Sequence, residues 1–414
     1  MATVKPFRGY RPQPDQVKQI ASPPYDVLDS EEARVMARGN EISFLHVNKS
    51  EIDLPPDTDP YSPLVYETAA ANLRRLIDQG HLRRDPRPCF YLYRQKMGDH
   101  VQTGVLAAVS VAEYDADLIK KHEHTRKDKE DDRTRHTDIC NANVGPVFLT
   151  YRADPQIDEI IARCQQSRPD FDFVADDGIG HTLWVVDDPA TLAALQQAFI
   201  RIPALYVADG HHRSASAARV GRERREKNPR HTGREAYNYF MAVVFPDNQL
   251  KILDYNRVVK DLHGLTPAAF LERLREKFAV EPAAAPAPQR LHDIGLYLEG
   301  RWYTMTAKPG TYPAADPVKS LDVEILSANV LAPLLGIVDL RTDKRINFVG
   351  GIRGTRELER LVDGGKYAAA FAMHPVTVDQ LMAIADAGRI MPPKSTWFEP
   401  KLRSGIVVRI IEED

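Results

Sequence analysis

Two stretches hold most of the residues able to do chemistry. The first, Asp209-Gly210-His211-His212-Arg213, follows the apolar run Leu205–Ala208 and opens a small-residue segment that begins at Ser214. A glycine between strand and helix lets the chain turn tightly and lets an anion come close to the backbone. The first amides of the helix lack intrahelical acceptors and lie at the positive end of its dipole. Arg213 adds a planar fork suited to phosphate oxygens, and Ser214 and the two histidines add further donors. An ordinary strand–helix connection would need only a capping aspartate. Four polar side chains around one glycine instead predict an anion site, with Gly210, Arg213 and Ser214 binding and Asp209, His211 and His212 available for catalysis. Asp209 is also the candidate for holding Mg2+ through water.

The second stretch, His122–His136, is the most polar of the chain (HEHTRKDKEDDRTRH). On a helix His122 would share a face with Arg126, Asp128 with Asp132, and Lys129 with Arg133. Most charge runs become solvated, salt-bridged helices. Three imidazoles among these charges favour function, with Glu123 as general base, His124 as its competitor and Arg126 as a charge clamp. A His-x-His pair alone is weak evidence for a metal, because alternate residues share a face only in extended chain.

Three further segments are candidates. Lys394, Ser395 and Thr396 follow a proline turn and could meet a phosphate, although the glycines of a Walker loop are missing upstream. Arg353, within Gly350–Gly354, precedes an expected helix and could clamp an anion nest. Asp26, in Ser22-Pro23-Pro24-Tyr25-Asp26, could take a substrate amine or a metal; a rigid turn explains the same residues without function. His46, by contrast, reads as a satisfied core histidine.

These residues need elements to hold them. Short strands are expected at 16–27 and 42–47, with a helix from a Ser30 cap to about Arg38 between them. Residues 51–60 read as a loop, 61–79 as a helix, and 89–95 with 101–113 as a hairpin about Gly98-Asp99. A polar, mostly helical segment is expected at 114–144. Strands follow at 146–152, 181–186 and 203–208, a helix at 209–230, and strands at 238–245 and 249–254. Residues 281–289 (EPAAAPAPQ) have a linker's composition. Beyond them come a hairpin at 294–307, a helix at 321–335, and helix 355–363, strand 367–373, helix 377–387 and a last strand at 405–411. The order is mixed α/β (α+β), not a regular βαβ alternation.

Bulk properties bound the function. A formal charge of −3 gives no global basic field, so neither nucleic acid nor an anionic lipid surface is an expected partner. The three cysteines are scattered and odd in number, which fits a reducing compartment. The first residues lack the apolar core of a signal peptide, and no apolar run reaches the length of a membrane span. A soluble cytoplasmic protein is expected, with its oligomeric state open.

The string Ala208–Ser214, with the earlier Pro-Pro-Tyr-Asp-Val, resembles the ParB/sulfiredoxin-like superfamily, whose Gly-x-x-Arg turn cradles nucleotide phosphates. Its DGHHR form is similar to that of the archaeal ADP-dependent free-serine kinases. Through Ala21–Val27, Phe44–Val47, His122–Arg135, Ala208–Arg213, Gly350–Gly354 and Met391–Lys401, the chain resembles a bacterial and archaeal family of unknown function, number 1015. The resemblance implies a ParB/sulfiredoxin-like catalytic core over 1–280, the linker 281–289, and a smaller α/β domain over 290–414 that contributes to the pocket. Because ParB proteins place their boxes close together, about 55–200 would be a large insertion. No helix-turn-helix of the ParB type is evident, so that DNA-binding role does not carry over.

The implied function is phosphoryl transfer on a small phosphate ester or amino acid, with free serine or phosphoserine leading. The enzyme would be a kinase using ADP or ATP, or a phosphatase. Two alternatives remain: a non-catalytic CTP- or ATP-binding switch, and a metal-dependent hydrolase built from His122, His124, Asp209, His211 or His212.

Overall fold

The structure, a computed structural model, describes residues 2–411. The chain forms two compact units: the residues up to Leu250 together with the segment from Pro400 onward, and Lys251–Glu399.

The first unit is built on nine strands: β1 (Val4–Lys5), β2 (Phe90–Met97), β3 (His100–Ser110), β4 (Ile119–Lys120), β5 (Val147–Tyr151), β6 (Phe171–Val174), β7 (Gly180–Val186), β8 (Leu205–Asp209) and β9 (Tyr239–Pro246). They lie in the order β4-β8-β5-β9-β3-β2-β7-β6, with β1 also on β3. The β4/β8 and β5/β9 pairs are parallel and the others antiparallel. Met97 pairs with His100, so Gly98-Asp99 is a two-residue hairpin loop, and Gly98 takes φ 59°. In β3, Val105 to Val109 are all buried. A central strand covered on both faces reads as a continuous apolar run instead of an alternating one.

Among the described residues, six helices of eight residues or more accompany the sheet: α1 (Ser30–Ala37), α2 (Pro63–Asp78), α3 (Lys127–Cys140), α4 (Pro155–Cys164), α5 (Pro189–Ile200) and α6 (His211–Lys227). Ile157, Ile160, Leu195 and Phe199 of α4 and α5 share one core with Leu149, Leu205 and Val207 of the sheet. Helix α6 joins it through Ala215, Ala217 and Ala218, whose short side chains let the helix lie close. At Gly221 the approach is tighter still, since a Cβ would stand 2.6 Å from the Tyr237 carbonyl oxygen. Helix α2 buries Val65, Tyr66, Ala69, Leu73 and Leu76, a stripe at helical spacing, and packs on α3.

The mixed α/β class is the one expected, and several expected elements differ. Residues 16–27 hold a short helix, Val17–Ile20, and Ser22 makes a single bridge to Ser404. Residues 42–47 run into the helix Leu45–Asn48, with Phe44 and Val47 fully buried. Such short apolar runs do not tell helix from strand by pattern, and tertiary packing decides. Helix α1 is capped by Asp29, with Glu32 completing the capping box, and not by Ser30. Of 405–411 only Arg409–Ile410 is strand, paired with Ala142–Asn143. Residues 55–200 supply six of the nine strands and so form the sheet itself.

The second unit is an antiparallel sheet of β10 (Tyr255–Val259), β11 (Phe278–Pro282), β12 (Asp293–Leu298), β13 (Arg301–Ala307), β14 (Ile346–Gly350) and β15 (Ala369–Met373), ordered β11-β13-β12-β15-β10-β14. Its longer helices are α7 (Pro267–Arg275), α8 (Gly354–Asp363) and α9 (Val378–Asp386), and a short helix, Asp322–Leu326, continues as a π-helical turn over Ser327–Leu331 within the expected 321–335. The stretch 281–289 lies inside this unit, and the boundary between the units falls elsewhere. It begins at the end of edge strand β11, where a proline costs no internal ladder bond. Among the described residues no helix is long and apolar enough to cross a membrane.

Candidate functional site

Strand β8 delivers Asp209 to the edge of the core, and Gly210 turns the chain into α6 with φ 92° and ψ 34°. That left-handed conformation favours glycine. A Cβ at Gly210 would also stand 3.1 Å from Nε of Arg213. The Asp209 carboxylate accepts from the Gly210 amide at 2.8 Å and from Lys401 Nζ at 2.8 Å. Burial opposes its charge, but Lys401 and Arg213 outweigh burial and hold the carboxyl well below the usual range. Each carboxylate oxygen therefore already accepts one hydrogen bond.

The 122–126 segment meets this turn. His212 Nε2 accepts from the Arg126 amide at 3.0 Å, which places the proton of a neutral ring on Nδ1. Burial lowers the His212 pKa. His211 is buried, and its Nδ1 lies 3.8 Å from an oxygen of Glu123. The rings of His122 and His211 pack edge to face at 4.5 Å and 88°. Burial drives His122 down to about 4, and burial with the neighbouring His122 drives His211 well below its ordinary value. Both rings are thus neutral at physiological pH. The Glu123 side chain is 45% exposed and His124 is exposed, so both face solvent beside the helix start.

Arg213 is almost covered. Its Nη1 donates to the Pro146 carbonyl at 2.6 Å, Nη2 stands 3.8 Å from an Asp26 oxygen, and the buried Nε has no hydrogen-bond partner. It lines a small cavity with Tyr25, Asn48, Arg133, Asn143 and Ser404. The Arg133 guanidinium lies 4.1 Å over the Tyr25 ring and binds Asp132 at 2.8 Å, and Asp132 accepts from the Tyr66 hydroxyl at 2.9 Å. The inner face of α3 is thus a buried, paired polar layer and not a solvated one.

Two candidates near the turn are occupied otherwise than expected. The Ser214 hydroxyl is buried and donates to the His211 carbonyl at 3.0 Å, within its own helix. The Arg126 guanidinium is 66% exposed and forks onto Asp128 at 2.8 Å; its backbone amide is what reaches the site.

Lys394, Ser395, Thr396 and Arg353 belong to the second unit. Lys394 has φ 60°, its carbonyl accepts from Arg257, and its ammonium lies 5.5 Å from the Tyr255 ring centre. Buried Ser395 donates to the Pro392 carbonyl at 2.6 Å, and exposed Arg353 stands 3.9 Å from Glu357 of its own helix. Sequence reasoning missed Lys401 and Arg133 as members of the site. Both lay within stretches already singled out, but only long-range packing shows which charge of a run turns inward.

A mixed α/β unit thus brings together a glycine-opened helix start, a carboxylate–ammonium pair and two neutral buried imidazoles. The chain belongs to the family described as "Protein of unknown function (DUF1015)", whose model matches residues 4–324. No curated protein matches it. Among solved structures it is similar to a free serine kinase in complex with AMP, at 12% identity and TM-score 0.39, covering 74% of this chain and 91% of that one. A conserved hypothetical protein from Pyrococcus furiosus matches at 14% identity and TM-score 0.36, covering 74% and 95%. SbnI with a C-terminal truncation, from Staphylococcus aureus, matches at 11% and 0.37, covering 71% and 82%.

Proposed function

We propose that this chain moves a phosphoryl group to or from a small hydroxyl-bearing metabolite, with free serine or phosphoserine as the leading substrate. The observation that carries this reading is the Arg213 Nε, buried without a partner against Gly210 at the start of α6. A phosphate oxygen there would meet this N–H, the first amides of α6 and the positive helix end together. The choice of serine rests on the resemblance of the DGHHR turn to that of free-serine kinases.

Phosphoryl transfer asks a protein mainly to position the reactants and neutralise charge. Arg213 and the amides of His211 and His212 would hold the phosphoryl oxygens. Glu123, solvent-facing and beside His211, would accept the hydroxyl proton. Lys401 keeps Asp209 ionised and fixed beneath the turn. In the kinase direction ADP or ATP would be the donor, with Mg2+ accompanying the nucleotide; in the hydrolytic direction water takes the nucleotide's place.

The test is incubation of the purified chain with serine and ADP or ATP, with phosphoserine detected by mass spectrometry, alongside phosphate release from phosphoserine alone. Phosphoserine formation, or nucleotide-free phosphate release, is expected. If neither reaction exceeds the rate without protein, the reading fails.

A further inference from the structure

We infer that His122, Glu123 and His211 form a binding site for a first-row divalent transition ion, of the Zn2+, Co2+ or Mn2+ kind. One ligand atom from each lies within 4.8 Å of the others. An ion with ligand bonds of about 2.0–2.2 Å would need the three to close in by roughly 1 Å, within reach of side-chain adjustment. His122 is 2% exposed and His211 5% exposed. Neither ring nitrogen of His122 nor Nε2 of His211 makes a hydrogen bond of good geometry, and the Val207 backbone acts only weakly on the His122 ring.

Burying imidazole nitrogens without partners is costly, and two core histidines packed edge to face would ordinarily each reach a carbonyl, a hydroxyl or a carboxylate. His136 does so through the Val47 carbonyl at 2.9 Å, and His181 through the Tyr93 hydroxyl at 2.7 Å. The His122–His211 pair departs from that habit, and a cation accounts for the departure. The nearby cationic side chain of Lys121 is engaged elsewhere: its ammonium donates to the Tyr114 carbonyl at 2.9 Å and pairs with Asp117 at 3.2 Å.

The donor set chooses the ion. Two imidazoles and one carboxylate suit borderline transition ions, whereas Mg2+ and Ca2+ are held by oxygen. The two histidines close the inner side of the site, and the half-exposed Glu123 leaves its outer side open to water or a substrate oxygen. Without the ion Glu123 is the proton acceptor; with it Glu123 is a ligand, and the ion instead lowers the pKa of the oxygen bound to it. The inference does not depend on the phosphoryl-transfer reading, because its test needs neither nucleotide nor serine.

The full chain, purified without a histidine tag and stripped with a chelator, is titrated with Zn2+ against a chromophoric competitor, and with Co2+ by visible absorption. One equivalent of each is expected, with a rise in melting temperature on Zn2+ addition. Glu123→Gln and His122→Leu should each weaken Zn2+ by about 100-fold or more and abolish that rise. His100→Ala, a histidine of β3 outside the cluster, should stay within about twofold of the parent. His122→Leu removes two unpartnered nitrogens and is expected to fold; should it fail to, Glu123→Gln at the half-exposed position decides alone. No saturable binding, or binding unchanged in Glu123→Gln, overturns the site.

Discussion

The chain opens two helices in nearly the same way. In the first unit β8 ends at Asp209, Gly210 turns with φ 92°, and α6 follows with Arg213 in its first turn. In the second unit β14 ends at Gly350, Arg353 follows, Gly354 turns with φ 67°, and α8 begins. Both present a glycine, an arginine and free helix amides. The surroundings separate them. Gly210 lies against the Arg213 guanidinium, while a Cβ on Gly354 would meet nothing within 4 Å. Arg213 is 12% exposed and holds a carbonyl; Arg353 is 69% exposed beside a glutamate of its own helix. Around the first turn stand Lys401 on Asp209 and the Arg126 amide on His212. A helix start becomes a site when other chain segments fix its side chains and exclude water, and the local motif alone does not achieve that.

The sharpest way to break the comparison is to remove each arginine. Arg213→Ala should lower kcat/KM for serine phosphorylation or phosphoserine hydrolysis by about 100-fold, the scale of a lost oxyanion donor. Arg353→Ala should stay within about twofold. Equal effects would erase the distinction drawn between the two turns.

Next in size are the glycines. Gly210→Ala places a Cβ both in the left-handed region and against a guanidinium, and should cost about 2–3 kcal/mol of stability in urea unfolding. Gly354→Ala meets no neighbouring atom, but at φ 67° and ψ 177° its backbone lies in a region nearly confined to glycine, so it should cost about 1–3 kcal/mol from the backbone alone. Lys401→Met leaves Asp209 half-buried without its ammonium and should cost about 1–3 kcal/mol at neutral pH. The Asp209 pKa is depressed in the folded chain, so its contribution is present above the unfolded carboxyl pKa and shrinks as pH falls below it. The Lys401→Met deficit should therefore narrow in acid, and a deficit independent of pH would show that packing, not charge, is lost.

The smallest effect sharpens the comparison through histidines of the first unit. Burial, reinforced by Arg133, drives His136 down to about 4, and burial with Arg403 drives His181 down to about 3. The unfolded chain takes up protons from about pH 6.5 downward while the folded chain does not, so stability is intact above that pH and declines as pH falls toward 4. By pH 6 the loss should be about 1 kcal/mol per histidine, read from urea midpoints. A flat profile between pH 7 and 5 would contradict the assignment of these rings as neutral.

Much of the first unit was legible from residues alone. The hairpin about Gly98-Asp99, strands β5, β7 and β8, and helix α6 follow from glycine placement and apolar runs. The strand–glycine–helix turn at Gly210 was legible because a glycine at such a junction supplies a left-handed residue that few others can. The short helix Leu45–Asn48 was not, because four residues carry no period and the burial of Phe44 and Val47 comes from distant parts of the chain. The inward turn of Arg133, the pairing of Lys401 with Asp209 and the burial of His122 against His211 depend on contacts between residues far apart in sequence. Local spacing contains none of them. Ser214 shows the converse: a hydroxyl in the right place for a ligand, already donating to its own helix.

The most direct test of the central claim is amide NMR of the full chain during titration with phosphoserine. The account predicts that the largest shift changes fall on the amides of Gly210, His211, His212 and Arg213 and disappear in Arg213→Ala. Saturation of binding with those four amides unmoved would contradict it.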